Sequence, residues 1–233
     1  MNKELFIKEL EQLNIKITDK KLEQLEKYYE LLVTENKKYN LTAITNKEDV
    51  YLKHFYDSLT ITKIIELDNQ SLCDIGTGAG FPGIVLKIFY PNLSITLVDS
   101  TLKKCKFLEF VIKELNLTNI KVLNKRAEKF SKEKREEFDI VTSRAVAPLK
   151  HLLEYSIPLV KVNGTYIAMK SDISKEIEGI SRYEDKLNIK KQDIIEFNLP
   201  VENSLRNLIS YKKLKETNLI YPRKYNEIKK KEI

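Results

Sequence analysis

The sequence predicts an α/β fold: a seven-stranded, mostly parallel sheet with helices on both faces, preceded by a helical extension. Three observations predict it. From residue 71 onward, short apolar runs alternate with amphipathic stretches, the pattern of a parallel sheet covered on both sides. The last two apolar runs are separated only by "PVENSL", which leaves no room for a crossover helix, so these two strands pair antiparallel. Residues 1–70 have helical spacing throughout and no strand alternation.

In the extension, "KELFIKELEQL" sets Leu5, Phe6, Leu10 and Leu13 at helical spacing. A second helix opens at Thr18 as N-cap, with Leu22, Leu25, Tyr29 and Leu32 on one face. A third opens at Asn46, with Val50, Phe55, Leu59 and Ile65 apolar. "YNLT" ends one helix, Asn40 bonding local backbone. His54 and Asp57 share a helical face and are read as pins between these helices and the sheet. The expected strands are "SLCDI", "SITLVD", "IKVLN", "FDIVTS", "GTYIAMK", "IIEFNL" and "RNLISYKK". Helices are expected at 82–89, 101–116, 149–158 and 172–187, and the tail "YPRKYNEIKKKEI" is read as basic and mobile at its end. The division is 1–70 for the extension and 71–233 for the sheet domain, packed as one unit.

Composition narrows the function classes. No apolar run approaches the roughly 18 residues of a membrane span, and the mixed-charge N-terminus is no signal peptide. Cys73 and Cys105 have no metal or redox spacing and suit a reducing, cytoplasmic compartment. Two histidines supply a metal site or a hydrolase triad poorly, so no metal is expected. The net charge of +7 is uneven: residues 1–70 hold 11 Lys and 13 acids, so the remainder carries about +9. That fits a polyanionic partner for the sheet domain. A Lys-rich proteome would give the same excess.

Four of only six glycines fall in "DIGTGAGFPG", residues 74–83, at the end of the first strand. A ligand approaches bare backbone at such a turn. Gly78, Gly80 and Gly83 match the G-x-G-x-x-G of a dinucleotide site, a weak signal alone. Asp74 argues against it: a carboxylate there repels a pyrophosphate and welcomes a cation. The combined D-x-G-x-G-x-G is the pattern for S-adenosylmethionine, and the sheet is that of a Rossmann-like class I methyltransferase. Asp99 closes the next strand and suits ribose hydroxyls or, alternatively, a helix N-cap. The loop with Arg126, Ala127 and Glu128 flanks the adenine position; a backbone N–H there reads the base edge, or Glu128 simply starts a helix. The fourth strand ends in Ser143-Arg144-Ala145, without the Asn/Asp-Pro-Pro-aromatic or Pro-Cys of other base methyltransferases. Guanine N7 carries no proton and needs no general base. Arg144 suits a guanine edge, a phosphate or a structural ion pair. A nicotinamide dehydrogenase lacks a placed hydride-transfer partner here, and a non-catalytic RNA-binding scaffold would not need the intact glycine loop.

"YNLTAI" with "HFYDSL", "DIGTGAGFPGIVLKI", "LVDSTLKKCKFL", "RAE", "FDIVTSRAVAPL", "MKSD", "LRNLISYKK" and "YPRKYN" together resemble the RsmG (GidB) family, bacterial 16S rRNA guanine-N7 methyltransferases, over about residues 36–226. The resemblance implies a monomeric cytoplasmic enzyme acting on 16S rRNA, free or in the small ribosomal subunit. It implies cofactor contacts from Gly76, Phe81, Ala127, Glu128 and Arg144, joined by Asp74, Gly78, Gly80 and Asp99 from the residues themselves. Arg144 is the expected catalytic residue, and Arg126, Lys170 and Arg206 are expected on the RNA side. Two positions depart from the family pattern: Ser171 stands where glycine is usual, and Asn207 where histidine is usual.

Overall fold

The sheet has seven strands in the order β3-β2-β1-β4-β5-β7-β6. They are β1 (Ser71–Ile75), β2 (Ser94–Asp99), β3 (Ile120–Asn124), β4 (Phe138–Arg144), β5 (Val160–Lys170), β6 (Ile189–Asn198) and β7 (Leu205–Lys213). The computed structural model describes residues 1–233. The first five strands are parallel; β7 runs antiparallel to both β5 and β6. The order reverses between β1 and β4, the switch point at which α/β sheets open a crevice at their carboxyl ends.

Ten helices surround it: α1 (Lys3–Gln12), α2 (Asp19–Tyr39), α3 (Lys47–Val50), α4 (Asp57–Leu59), α5 (Gly83–Phe89), α6 (Leu102–Glu114), α7 (Ala127–Glu133), α8 (Leu149–Ser156), α9 (Ile180–Leu187) and α10 (Tyr225–Lys230). Side chains start the first three, Thr18 and Asn46 as expected and Asn2 in addition: Asn2 accepts from Leu5 N, Thr18 from Lys21 N, and Asn46 from Glu48 N. A π-helical stretch, Tyr51–Tyr56, joins α3 to α4. Such wide turns re-aim side chains and are frequent at functional sites.

Several expectations change. The buried tyrosine of α2 is Tyr28, not Tyr29, in register with Leu25 and Leu32. Asn40 ends α2 in a left-handed conformation, but Asn36 is the residue whose Oδ1 takes Leu41 N (2.6 Å) and Thr42 N (2.9 Å). The helix expected from 172 begins only at Ile180, after Gly179 at φ +73°. Glu176 is turned inward to Lys170 and Leu149 N, which a continuous helix would not permit. Strand β6 begins at Ile189, well before the apolar run, because an edge strand needs backbone pairing more than apolar side chains. Helices α7 and α10 lie where a loop and a mobile tail were expected. α10 buries Ile228.

One hydrophobic cluster runs from Phe6, Leu10, Leu25 and Leu32 of the extension to Leu72, Ile140 and Ile167 of the sheet. Tyr28 is its hinge with the glycine turn. The ring lies 5.5 Å from Phe81 and 5.6 Å from Phe55, and its hydroxyl donates to the Ala79 carbonyl at 2.5 Å. The extension therefore braces the turn from beneath. Tyr28→Phe keeps the ring and leaves that carbonyl unpaired, at a cost of about 1–2 kcal/mol. For a chain of this length the thermal midpoint falls by about 3 °C or more; a midpoint equal to that of the parent protein would refute the brace.

Candidate functional site

The carboxyl ends of the strands open into two adjoining lobes that share Gly76, Lys104 and Ala145. The first, about 490 Å³, lies between the turn at Thr77–Phe81, the segment Leu41–Ile44, His54 and Asp57, and the ends of β4, β5 and β7. The second, about 590 Å³, lies over β2 and β3, between Asp99, the loop Lys125–Glu128 and the β4 loop Ala145–Pro148, and is also lined by Tyr155 and Tyr225.

At the waist the chain is held in conformations it does not choose freely. Ala145 has φ +52°, uncommon for a residue with a Cβ. Val146 packs so closely that a Cβ on Gly76 would sit 2.6 Å from its methyl groups. Gly78, at φ +62°, differs: a Cβ there would find only the Gly76 carbonyl, 3.9 Å away. The turn thus presents bare backbone to open space. Across the second lobe, the Ala127 and Glu128 N–H groups begin α7 and donate to no protein acceptor. A bare turn, unpaired donors and a carboxylate at the strand end fit the adenosyl and amino-acid halves of S-adenosylmethionine.

The acids hold the loops. Asp74 lines neither lobe. Its carboxylate is wholly buried, where Oδ2 accepts from Thr77 Oγ1 (2.7 Å) and Gly83 N (2.9 Å), while Oδ1 has no partner. Burial raises its pKa to about 6, with the Thr77 and Gly83 bonds pulling the other way. Asp74 thus shapes the turn from beneath, through Thr77 and Gly83. Asp99 does line the second lobe, and it also ties two loops together. Its Oδ1 takes Thr101 N (2.8 Å) and its Oδ2 takes Gly78 N (3.0 Å). Asp99 is not the N-cap of α6; Thr101 is.

In the first lobe, one carboxylate joins two arginines. Asp57 Oδ2 accepts from Arg144 Nη1 (2.9 Å) and Oδ1 from Arg206 Nε (3.2 Å). Arg144 Nη1 also donates to the Lys53 carbonyl (2.8 Å). The guanidinium lies 5.3 Å from the Phe81 ring, on which the His54 ring stacks at 4.3 Å. His54 Nδ1 accepts from Arg144 Nη2 (3.2 Å), so the ring proton is on Nε2 and meets Thr42 Oγ1 (3.0 Å). Burial, with the Arg144 charge beside it, pulls the His54 pKa down to about 3. His54 is thus neutral and fixed. The pinning role read for His54 and Asp57 holds, and both also line the cavity. Arg144 is both the ion pair and the cavity wall.

The basic residues expected on the RNA side divide. Arg206 lines the first lobe, half engaged by Asp57. Arg126 is exposed beside the second lobe, its guanidinium 5.4 Å from the Tyr225 ring. Lys170 lines the first lobe with its Nζ engaged by Glu176 (2.8 Å) and by the Ala147 carbonyl (2.9 Å), which ties it to the β4 loop. The two departures from the family pattern meet, Asn207 Nδ2 donating to the Ser171 carbonyl at 2.5 Å. The residue reading missed Thr42, Ala145 and Tyr225. The first and last lie in "YNLT" and "YPRKYN", segments that carry the resemblance but no chemistry of their own on paper.

A reversed seventh strand beside five parallel ones, with a glycine turn after the first, defines the class I methyltransferase fold. An S-adenosylmethionine-dependent methyltransferase of Aquifex aeolicus shares it at TM-score 0.53 and 12% identity, over 77% of this chain and 97% of that one. Within that class, the family model "GidB: rRNA small subunit methyltransferase G" matches residues 21–209, and the chain belongs to this family. Proteins named "Ribosomal RNA small subunit methyltransferase G" are similar over nearly their whole length. That of Mycoplasma capricolum is 46% identical over 93% of this chain and 94% of its own. That of Bacillus cytotoxicus is 46% identical over 96% and 95%.

The neutral His54 sets a pH dependence. Unfolded, an imidazole protonates near 6.5; folded, His54 does so near 3, so the native chain binds fewer protons. Its contribution to stability is complete above about pH 6.5 and is lost as pH falls toward 3. Compared with His54→Gln in urea unfolding, the parent protein loses up to about 1.4 kcal/mol more per pH unit between pH 6 and 4. Parallel pH profiles would contradict the assignment; Asp74 acts equally in both proteins and cancels.

Proposed function

We propose that this protein transfers a methyl group from S-adenosylmethionine to N7 of one guanine in 16S rRNA, free or in the small ribosomal subunit, and that it acts as a cytoplasmic monomer. Membership of the family carries the class of reaction. The observation that favours a ring nitrogen is the absence of a proton acceptor poised for catalysis at the waist. His54 is neutral, but its one free lone pair is engaged by Arg144. Lys170 is paired and Asp57 is shared between two guanidiniums.

When bound, S-adenosylmethionine supplies a methyl group on a sulfonium, which departs as a neutral thioether. The in-plane lone pair of N7 forms the new N–C bond as the C–S bond breaks, and no proton moves. The chain's own contribution is then placement and exclusion of water. The glycine turn and the Ala127–Glu128 N–H groups hold the cofactor, with Asp99 on the ribose side. Phe81 and Met169 supply apolar wall to the first lobe. Arg144 spends three N–H donors on Lys53, Asp57 and His54, which leaves Nε and one Nη2 hydrogen for the edge of a guanine. Arg206, with Arg126 at the outer rim, meets backbone phosphate.

The test is radiolabelled methyl transfer to naked 16S rRNA, to small-subunit particles and to total protein, followed by mapping of the modified base. Label appears only in RNA, as 7-methylguanine at one position. Arg144→Ala lowers kcat by about 100-fold or more, because it loosens both the guanine contact and the wall that positions it. Label in protein, or a fully active Arg144→Ala, would overturn the reading.

A further inference from the structure

The C-terminal segment reads from sequence as basic and mobile at its end, and the structure fastens it at several points. Arg135 donates to the Thr217 and Tyr221 carbonyls (2.5 and 2.7 Å), and Tyr221 is buried in the second hydrophobic cluster. The strongest fastening is Arg223 on Glu154. Glu154 Oε1 accepts from Arg223 N (2.8 Å) and Nε (2.9 Å), and Oε2 from Nη2 (2.8 Å). The Glu154 side chain is wholly buried. Buried ion pairs add little net stability against an apolar replacement, but they fix geometry closely. Two residues beyond this anchor, Tyr225 lines the second lobe, with the Lys229 ammonium 5.2 Å from its ring. Its ring packs on Arg126, the residue before the two N–H groups assigned to the base edge.

We infer that the C-terminal segment is part of the cofactor site: Tyr225 is a binding residue for the adenosyl half, and the Glu154–Arg223 pair is a positioning device that holds it there. This rests on the cofactor assignment made above. The ring adds an aromatic face from the C-terminal segment to a lobe lined mostly by strand ends, their loops and α8. Through Arg126 it also braces the loop that carries Ala127 and Glu128. It is about one-third exposed, so its replacement does not hollow the core.

Calorimetric titration of the full-length protein with S-adenosylhomocysteine and with 5′-methylthioadenosine, which carries only the nucleoside half, tests this. Tyr225→Ala weakens both ligands about tenfold, the scale of one lost aromatic contact, with the thermal midpoint unchanged. Tyr225→Phe retains affinity, since the ring is what matters. Arg223→Lys keeps a charge but loses the fork, and weakens both ligands similarly. Combining it with Tyr225→Ala adds little further loss, because the two act as one unit. Parent-like affinity in Tyr225→Ala would overturn the inference, as would additive losses in the double variant. Loss of RNA retention alone in Tyr225→Ala would overturn it too, placing the segment on the RNA side. Failure of the parent protein to bind either ligand would instead remove the cofactor assignment itself.

Discussion

Everything around the first lobe depends on one carboxylate between two guanidiniums. Asp57 is nearly inaccessible, and it meets Arg144 from the end of β4 and Arg206 from the start of β7. These two strands are not neighbours; β5 lies between them. A helical segment from the extension thus spans three strand ends and sets the width of the cleft above them. Helical spacing of three residues keeps His54, which reaches Arg144 and Phe81, on the same face as Asp57. The group carries one net positive charge, which suits a site for a polyanion better than a neutral clasp would. Removing the carboxylate would leave two like charges facing each other in a poorly solvated place.

The same extension supports the glycine turn, so it is not an accessory to the sheet. Tyr28 holds the Ala79 carbonyl from below, and a side chain at Gly80 would strike its hydroxyl. From the sheet side, Asp74 and Asp99 hold the turn through Gly83 N and Gly78 N. Three elements thus grip the turn at Gly78, Ala79 and Gly83, which leaves the outward side of Gly78 free. Asp74 has one carboxylate oxygen with no partner in the protein. Its raised pKa is the expected signature of a buried acid whose hydrogen bonds only partly offset lost hydration.

The sheet was legible because alternation of apolar runs reports burial on both faces, and the glycine turn was legible because glycine is scarce in this chain. Arg144, Arg206, Asp99 and the Ala127–Glu128 pair were found for the same reason: strand ends and their loops can be located by pattern. What pattern does not report is how far a side chain reaches. Lys170 sits at a strand end like Arg144, and each meets a carboxylate that spacing does not announce, Glu176 for the one and Asp57 for the other. Glu176 was hidden because the segment 172–187 reads as one amphipathic helix. Tyr225 was hidden for the opposite reason: a basic tail has no apolar period, so nothing in it announces the buried Glu154 that captures Arg223. Asn36 in place of Asn40 is a register question of one helical turn, which spacing alone leaves open.

The waist explains why the two lobes behave as one site. Ala145 holds a left-handed conformation that an alanine adopts only under constraint. The constraint is local: Arg144 before it is clamped by Lys53, Asp57 and His54, and Val146 after it is wedged against Gly76. Two neighbours pinned in different directions leave the residue between them no relaxed alternative. The two lobes meet at Gly76, Lys104 and Ala145, the residues common to both. Gly76 has no room for a Cβ against Val146, and Ala145 is held between two anchored neighbours. Where no proton has to move, a rigid and narrow passage is the most direct way for a protein to favour in-line transfer.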